Sequence, residues 1–574
     1  MNTLDYLVLI GVIVGIAVYG MWRTRARGDL HTYLKGEGNT HWLTIGLSVM
    51  ATQASAITFL STPGQGYESG IGFVQNYFGA PIALLIIAAV FLPIYRRLKV
   101  YTAYEYLGKR FDSKTRLLGA ALFLVQRGLG AGITIYAPAI VLSTVMGWRL
   151  DLTIIYSGLL VVAYTVSGGS AAVNLTQKYQ IGVIFVGMFA AFIVLLMKLP
   201  TGLGFADALA VAGGYHKLQA VDFSLDPDRR YTIWSGVLGG MFLALSYFGT
   251  DQSQVQRYLT GTSLRESRLG LMFNAVFKIP MQLFILLLGA LVFVFYQFER
   301  PPVFFNQSAW HFAATHGSGD QLRQLETDFN SAHAEKQKHV QAWLAARHAD
   351  DTAAVETERA AALAANARTE AARVATKAVL RAHDSRAPTN DSDYVFITFI
   401  LSYLPHGLIG LLVAVIFAAT FSSKAGELNA LGSTTVVDFY RHVIKTDATD
   451  RHYVLATKCF TALWGFIAIG FALCASLTEN LIQFTNIVGS IFYGVVLGLF
   501  LIAFFMRSIH GTAAFTAAVI IQTLIIVYHL YLREAFPVIA ISYLWYNVLG
   551  CALCMVLAAT LQALLPNKGQ GSGA

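Results

Sequence analysis

Apolar runs of about 20 residues, the length that crosses a bilayer as helix, recur along most of the chain. Runs and breakers together predict about thirteen spans. They lie near residues 5–22, 42–62, 75–95, 116–146, 152–168, 177–198, 231–255, 271–297, 395–439 (an entry segment, then one long helix), 453–476, 480–505, 511–532 and 538–565. RTRAR (23–27), RRLK (96–99), KRFDSKTR (109–116), QRYLTGTSLRESR (256–268), RHVIK (441–445) and FMRS (505–508) fall in alternate connections. Lys and Arg collect in cytoplasmic loops, so this alternation places the N-terminus outside and the C-terminus in the cytoplasm. Met1–Met21 lacks the basic n-region of a secretory leader, and its positive cluster follows the apolar run, so it reads as a first span.

One stretch breaks the rhythm. From Gln321 to Arg386 the composition turns to Ala, Glu, Arg and Lys, as in ETERAAALAANARTEAARVATKAVLRAH. Ala is the best helix former, and Glu370, Arg373 and Lys377 stand at supportive i+3/i+4 spacings. Span parity makes residues 299–392 an external helical insertion, expected as a hairpin. A solvated appendage is the favoured reading, with an external binding partner left open beside it. The domain order is then an N-terminal span and cytoplasmic loop (1–40), core helices 1–7 (41–298), the insertion (299–392), core helices 8–10 (393–508), and flanking spans with a short cytoplasmic tail (509–574).

Composition fits this picture. Of 574 residues 56% are hydrophobic and 13% charged, against roughly 25% charged in a soluble globular protein. The fold class is an all-α polytopic membrane protein whose solvent partner is the lipid bilayer. The expected location is the plasma membrane, as a bacterial inner-membrane protein. A net charge of +9 is accounted for by the basic loops and is no nucleic-acid signature. Cys551 and Cys554 share a helical face without further ligands and read as packing residues. No His/Asp/Glu cluster offers metal or nucleophile chemistry, so the chain is not read as an enzyme.

Five polar interruptions of the apolar runs carry the functional information. They are LSVMATQASAITFLSTPGQGYESG (47–70), RFDSKTRLLGAALFLVQRGLGAGITIYAPAI (110–140) with GGSAAVNLTQKYQ (168–180), YFGTDQSQVQRYL (247–259), GLIGLLVAVIFAATFSSKAGELNALGSTTVVDFY (407–440) and ENLIQFTNIVGS (479–490). Taken in order, they resemble the solute:sodium symporter family of sodium/glucose, iodide, monocarboxylate and multivitamin cotransporters. The resemblance covers nearly all of 1–298 and 393–565. It implies a LeuT-type architecture, with two inverted five-helix repeats, here about 42–198 and 231–505, and flanking helices outside the core. Solute and ion would meet near the midplane, where core helices 1 and 6 are broken. Tyr247-Phe248-Gly249 suits the second break. Core helix 1 has no glycine between Ala51 and Thr58, a departure from the glucose branch.

A sodium ion wants about five or six hard oxygen ligands. The resemblance assigns them to the carbonyls of Ala51, Ala54 and Ala419 and the hydroxyls of Ser422 and Ser423. Adjacent serines in a helix otherwise back-bond to the preceding turn. A second sodium site of some relatives would need hydroxyls at Ala425 and Gly426 and an aspartate at Gln177, so one sodium is expected. Lys178, Lys424 and Glu427 stand around those positions. A lysine at the abandoned site is expected either to supply its charge permanently or to titrate and turn sodium coupling into proton coupling, since desolvation lowers a lysine's pKa; otherwise Lys178 and Glu427 pair to close the inner gate or reach the cytoplasmic interface.

For the solute, resemblance to the glucose branch points to Tyr247, Lys278 and Gln483. Gln53, Ser55 and Thr58 on core helix 1 and Gln75 near the start of core helix 2 complete the expected set. Val74 stands where the glucose branch has an acid, and TQASAITFLSTP and YAPA (136–139) look closer to the iodide, monocarboxylate and multivitamin branch. A neutral sugar, an acidic sugar and a small organic anion all fit this set. Lys278 could instead neutralise Asp251, which is expected in coupling or gating. The reading is a secondary active transporter that imports a small polar solute with sodium by alternating access. An ion-independent or proton-coupled carrier of the same fold, or a membrane sensor, stands as the alternative.

Overall fold

A computed structural model describes residues 1–24, 41–98, 102–259, 261–383, 390–474 and 479–564, the side chains of 16–24, 167–180, 383 and 422 excepted. Helices account for the bundle. Leaving aside the short helices Ala103–Arg110 and Gln307–Ala313, in chain order they are α1 Thr3–Thr24, α2 Trp42–Gln53, α3 Ala56–Ser69, α4 80–98, α5 Ser113–Met146, α6 Leu150–Met197, α7 Phe205–Gly214, α8 Ser235–Gly249 and α9 Gln252–Tyr258. There follow α10 Leu264–Phe298, α11 Gly319–His348, α12 Thr352–His383, α13 Ser392–Tyr403, α14 Leu408–Thr434, α15 Asp450–Cys474, α16 Leu481–Phe505, α17 Gly511–Val527 and α18 Tyr543–Leu564. Among the described residues, eight helices are long and apolar enough to cross a membrane. The expected thirteen spans further require shorter apolar helices to be counted as crossings, with the two halves of each broken helix taken together as one.

Helix α6 carries two expected spans in one run of 48 residues, which would be about 72 Å if straight. Both of its ends lie beside the insertion. Arg149 sits 5.8 Å from the Phe312 ring, and Phe192 meets Phe205, whose helix α7 pairs Asp207 with His348 of α11 at 3.0 Å. The run therefore counts as two antiparallel crossings.

Burial sorts the helices into a centre and a rim. Helix α14 is buried along nearly its whole length, packed against α1, α5, α6 and α15 and touching α2, α3 and α9. Helices α15 and α18 leave most of their apolar windows exposed, as do side chains such as Leu7, Val186, Val276 and Val556. An apolar outer surface around a polar-containing centre is the arrangement a bilayer demands. Where α3 crosses α10 and α13 the backbones touch. A Cβ on Gly64 would lie 2.1 Å from the Ser392 carbonyl oxygen, and one on Gly289 would lie 2.0 Å from that of Pro63. Small residues permit such contact between helices in lipid.

Helices α11 and α12 form the expected hairpin, turning at 349–351 with Asp350 at φ 56°. The hairpin is docked, which corrects the solvated-appendage expectation. His333 Nε2 meets the Tyr296 carbonyl at 2.9 Å, Gln337 donates to the Phe298 carbonyl at 2.7 Å, and Trp343 packs on Tyr215. Arg373 lies between the Phe305 and Phe329 rings, at 4.9 and 5.4 Å. Apolar positions at helical spacing on α11 (Phe329, Val340, Trp343, Leu344) are buried and supply the docking face.

Candidate functional site

Two helix breaks build the centre. Helix α2 stops at Gln53, Ala54 and Ser55 leave the helical region (ψ 54° and 173°), and α3 starts at Ala56. No glycine is needed, because Ser55 is extended and Thr58 turns its hydroxyl back to the Gln53 carbonyl at 2.7 Å. Among the described residues, neither the Ala51 nor the Ala54 carbonyl accepts a backbone hydrogen bond across the break. The second break falls at Thr250–Asp251, just beyond the expected Tyr247–Gly249. Asp251 is extended and caps α9, its carboxylate accepting from the Ser253 amide at 2.9 Å. The carbonyls freed there are satisfied by tyrosines: Tyr95 donates to Gly249 at 2.7 Å and Tyr104 to Thr250 at 3.0 Å.

Between the breaks lies a cavity of ≈ 140 Å³. Five of the residues expected at the solute site line it: Gln53, Ser55, Thr58, Tyr247 and Lys278. Asn76, Tyr77, Thr134, Thr485, Asn486 and Tyr493 complete its polar and aromatic wall. Lys278, on α10, is buried, and its ammonium lies 4.9 Å from the Tyr77 ring centre. Among the described residues it has neither a carboxylate nor a hydrogen-bond partner, so Lys278 does not neutralise Asp251.

That task falls to Arg127. It stands mid-way along α5, in LVQRGLG, an arginine inside an apolar run that sequence reasoning passed over although its position was itself a signal. Arg127 pairs with Asp251, donates to Tyr493 Oη at 3.1 Å, lies 5.4 Å from the Tyr247 ring and reaches Glu427 at 3.5 Å. Glu427 also pairs with Lys424. The carboxylate thus faces the cavity and already has two cationic partners. The expected pairing with Lys178 is not described, since the Lys178 side chain lies outside the described residues.

Gln75 and Gln483 are corrections. Neither lines this cavity. Gln75 sits in the 3₁₀ segment Gly70–Tyr77 and ties down a crossing loop, donating to the Tyr231 carbonyl at 3.0 Å and accepting from the Asp222 amide at 2.9 Å. Gln483, in the first turn of α16, accepts from Arg230 at 3.3 Å, and it is Asn486, about a turn further on, that reaches the cavity. Both glutamines line a separate cavity of ≈ 490 Å³ at the insertion end.

The residues expected around sodium fall on facing elements. Ala51 and Ala54 close α2, while Ala419 and Ser423 are buried on α14, which packs against both α2 and α3. Ser423 donates to the Thr420 carbonyl at 3.2 Å; the side chain of Ser422 lies outside the described residues. One turn along α14, Gly426 is covered by a guanidinium. A Cβ there would lie 2.2 Å from Arg257 Nη2, and Arg257 is held by the Ser48 hydroxyl at 3.0 Å and the Ser253 carbonyl at 3.2 Å.

The family model of the sodium:solute symporter family matches residues 33–308 and 375–522. The chain belongs to the sodium:solute symporter family. The match omits 309–374, most of the hairpin. A sodium-coupled monocarboxylate transporter 2 of Mus musculus is 27% identical over 500 residues, 86% of this chain and 67% of that one. The Homo sapiens sodium/iodide cotransporter is 32% identical over 295 residues, 51% of this chain and 45% of its own. Among solved structures, a Na⁺-coupled sialic acid symporter superimposes with a TM-score of 0.74 at 20% identity, covering 98% of each chain. The likeness shows the LeuT-like fold. The protein is an integral membrane transporter, a sodium-coupled symporter of a small solute.

Proposed function

We propose that this symporter imports a small organic anion of monocarboxylate size. The observation that carries the reading is the Lys278 ammonium, buried at the cavity with no carboxylate or hydrogen-bond partner among the described residues. A buried unpaired charge costs several kcal/mol, and an entering carboxylate removes that cost. The surroundings agree: Arg127, Arg257, Lys278 and Lys424 are buried here against two buried carboxylates, Asp251 and Glu427. Size favours a small solute. A cavity of ≈ 140 Å³ resembles the roughly 150 Å³ that holds benzene, and a six-carbon sugar has about twice as many heavy atoms. Monocarboxylate and iodide, named for the relatives, are both anions.

Sodium is the driving ion in this reading, one per cycle, held by the Ala51, Ala54 and Ala419 carbonyls and the Ser422 and Ser423 hydroxyls. The Arg257 guanidinium over Gly426 supports a single site, because it fixes a positive charge where a second sodium would sit. Bound sodium braces α2 against α14, the solute settles between Lys278 and Tyr247, and release of sodium to the cell frees Tyr247 to open the inner path. One sodium moved with one monovalent anion carries no net charge, so the sodium concentration gradient drives the cycle, and each 1.4 kcal/mol it supplies gives about tenfold accumulation. The insertion end faces outside. This follows from the basic residues at the opposite end, which include Arg96, Arg110, Arg116, Arg441 and Arg507.

Uptake into proteoliposomes under separate sodium and proton gradients tests the reading. Sodium-driven accumulation of a labelled short monocarboxylate, with no accumulation of glucose, is expected. Accumulation driven by protons alone would replace sodium coupling with the carboxyl chemistry of Glu427, and binding without transport under either gradient would make the protein a sensor.

A further inference from the structure

The insertion reaches the gate through three consecutive residues. Asp391 is buried and belongs to the hairpin's end of the strap. Lys377 Nζ lies 3.2 Å from it, Arg373 Nη1 3.7 Å, and the Phe305 amide donates to it at 2.7 Å. Ser392 lays its carbonyl against Gly64 of α3. Asp393, also buried, accepts the Leu481 amide at 3.1 Å, the first amide of α16 and an otherwise orphaned helix-end donor. The two gate helices are joined at the same level. The Ile482 amide donates to Ser61 Oγ at 3.0 Å, Asn480 to Gln65 at 2.5 Å, and Arg230 pairs with Glu479 across to the lead-in of α8.

Segment 391–393 is thus tied at one residue to the insertion, at the next to α3 and at the third to α16. Arg373 lies inside the stretch that the family model leaves unmatched, whereas Lys377 falls within the matched stretch that begins at 375. A charge pair between a hairpin and a connecting strap does little for transport unless the strap has two positions. Here its far end caps one gate helix and touches the other, so holding Asp391 favours the arrangement in which α3 and α16 meet over the cavity.

We propose that the insertion is a positioning element for the outer gate: Arg373 and Lys377 hold Asp391, and through residues 391–393 they stabilise closure of α3 and α16 over the solute cavity. This rests on the transport reading only for which side is outside. Weakening the tie raises the outward-open population, and an apparent affinity scales with the fraction of binding-competent protein. KM for external solute and kcat therefore fall together, because binding gains and closure loses. A merely structural role lowers the amount of folded protein and leaves KM unchanged.

The test uses the full chain in right-side-out proteoliposomes with its four cysteines replaced by serine and Ile482→Cys, which lines the cavity from α16, as reporter. Lys377→Met, Asp391→Asn and the conservative Lys377→Arg are compared. Labelling of position 482 by an external membrane-impermeant maleimide is expected to quicken about fivefold or more in the first two variants and to return to the parent rate in Lys377→Arg. In an Ile482 background, KM and kcat for sodium-driven uptake fall together in the first two. Unchanged labelling and KM, with only less folded protein, overturns the proposal. Faster labelling in a preparation with no ion-driven uptake upholds the strap and rejects the transport reading instead.

Discussion

Lys278→Met separates solute recognition from folding. Methionine keeps the length and removes the charge. The ammonium is buried, without a carboxylate or hydrogen-bond partner among the described residues, and its neighbour is the face of Tyr77. Removing it forfeits one charge-assisted hydrogen bond to an anionic solute, worth about 1.5–3 kcal/mol, or roughly 10- to 150-fold in affinity. Leaving an unpaired charge buried costs the empty protein several kcal/mol, so the same substitution keeps or raises stability. Two measurements on one preparation decide the matter: thermal unfolding in detergent, and the concentration dependence of sodium-driven monocarboxylate uptake. The expected pair is an unchanged or higher Tm with KM raised by one to two orders of magnitude. Unaltered KM refutes anion recognition by Lys278. A drop in both Tm and uptake refutes the claim that its charge is unpaired.

Arg127→Met leaves Asp251 and Glu427 short of a buried partner and should cost about 3–5 kcal/mol, seen as loss of folded protein by gel filtration; adding Asp251→Asn should recover part of it. Ser423→Ala should raise the sodium concentration for half-maximal uptake about tenfold, one hydroxyl ligand's worth, with solute KM unchanged at saturating sodium. Docking of the insertion should be pH-dependent. Burial lowers Lys336 to about 7, with Arg373 lowering it further and Glu370 opposing, and the freed hairpin would return it towards about 10.4. The undocked form then binds more protons between those values, so docking strengthens as pH rises from about 7 to 10 and reaches its weakest level below 7. Protection of α11 amides in hydrogen exchange at pH 7 and 9 reads this, and Lys336→Met should abolish the difference.

Much of the architecture is written locally, because the bilayer is a solvent that each helix answers to separately. The apolar runs, the hairpin-forming stretch and the basic loops each follow from residues close in sequence. The same is true of the Ala51/Ala54 break, where polar side chains interrupt a span and Thr58 closes on Gln53. Polar residues in apolar runs announced a site but not its membership. Gln75 and Gln483 have the right chemistry, yet Gln75 is taken up by the Asp222–Tyr231 loop, and Gln483 accepts from Arg230 in the separate cavity while its neighbour Ile482 lines the central one. Arg127 was visible as an arginine in an apolar run, but its partners Asp251 and Glu427 lie 124 and 300 residues away along the chain. Only packing of α5 against α14, on which α9 also packs, brings them together. The sequence by itself determined the helices and the family. The tertiary structure decided which charges neutralise one another, that Lys278 lines the cavity without a carboxylate partner among the described residues, and that the hairpin is docked on the ends of its neighbours, since charge pairing across helices depends on distances that no local pattern encodes.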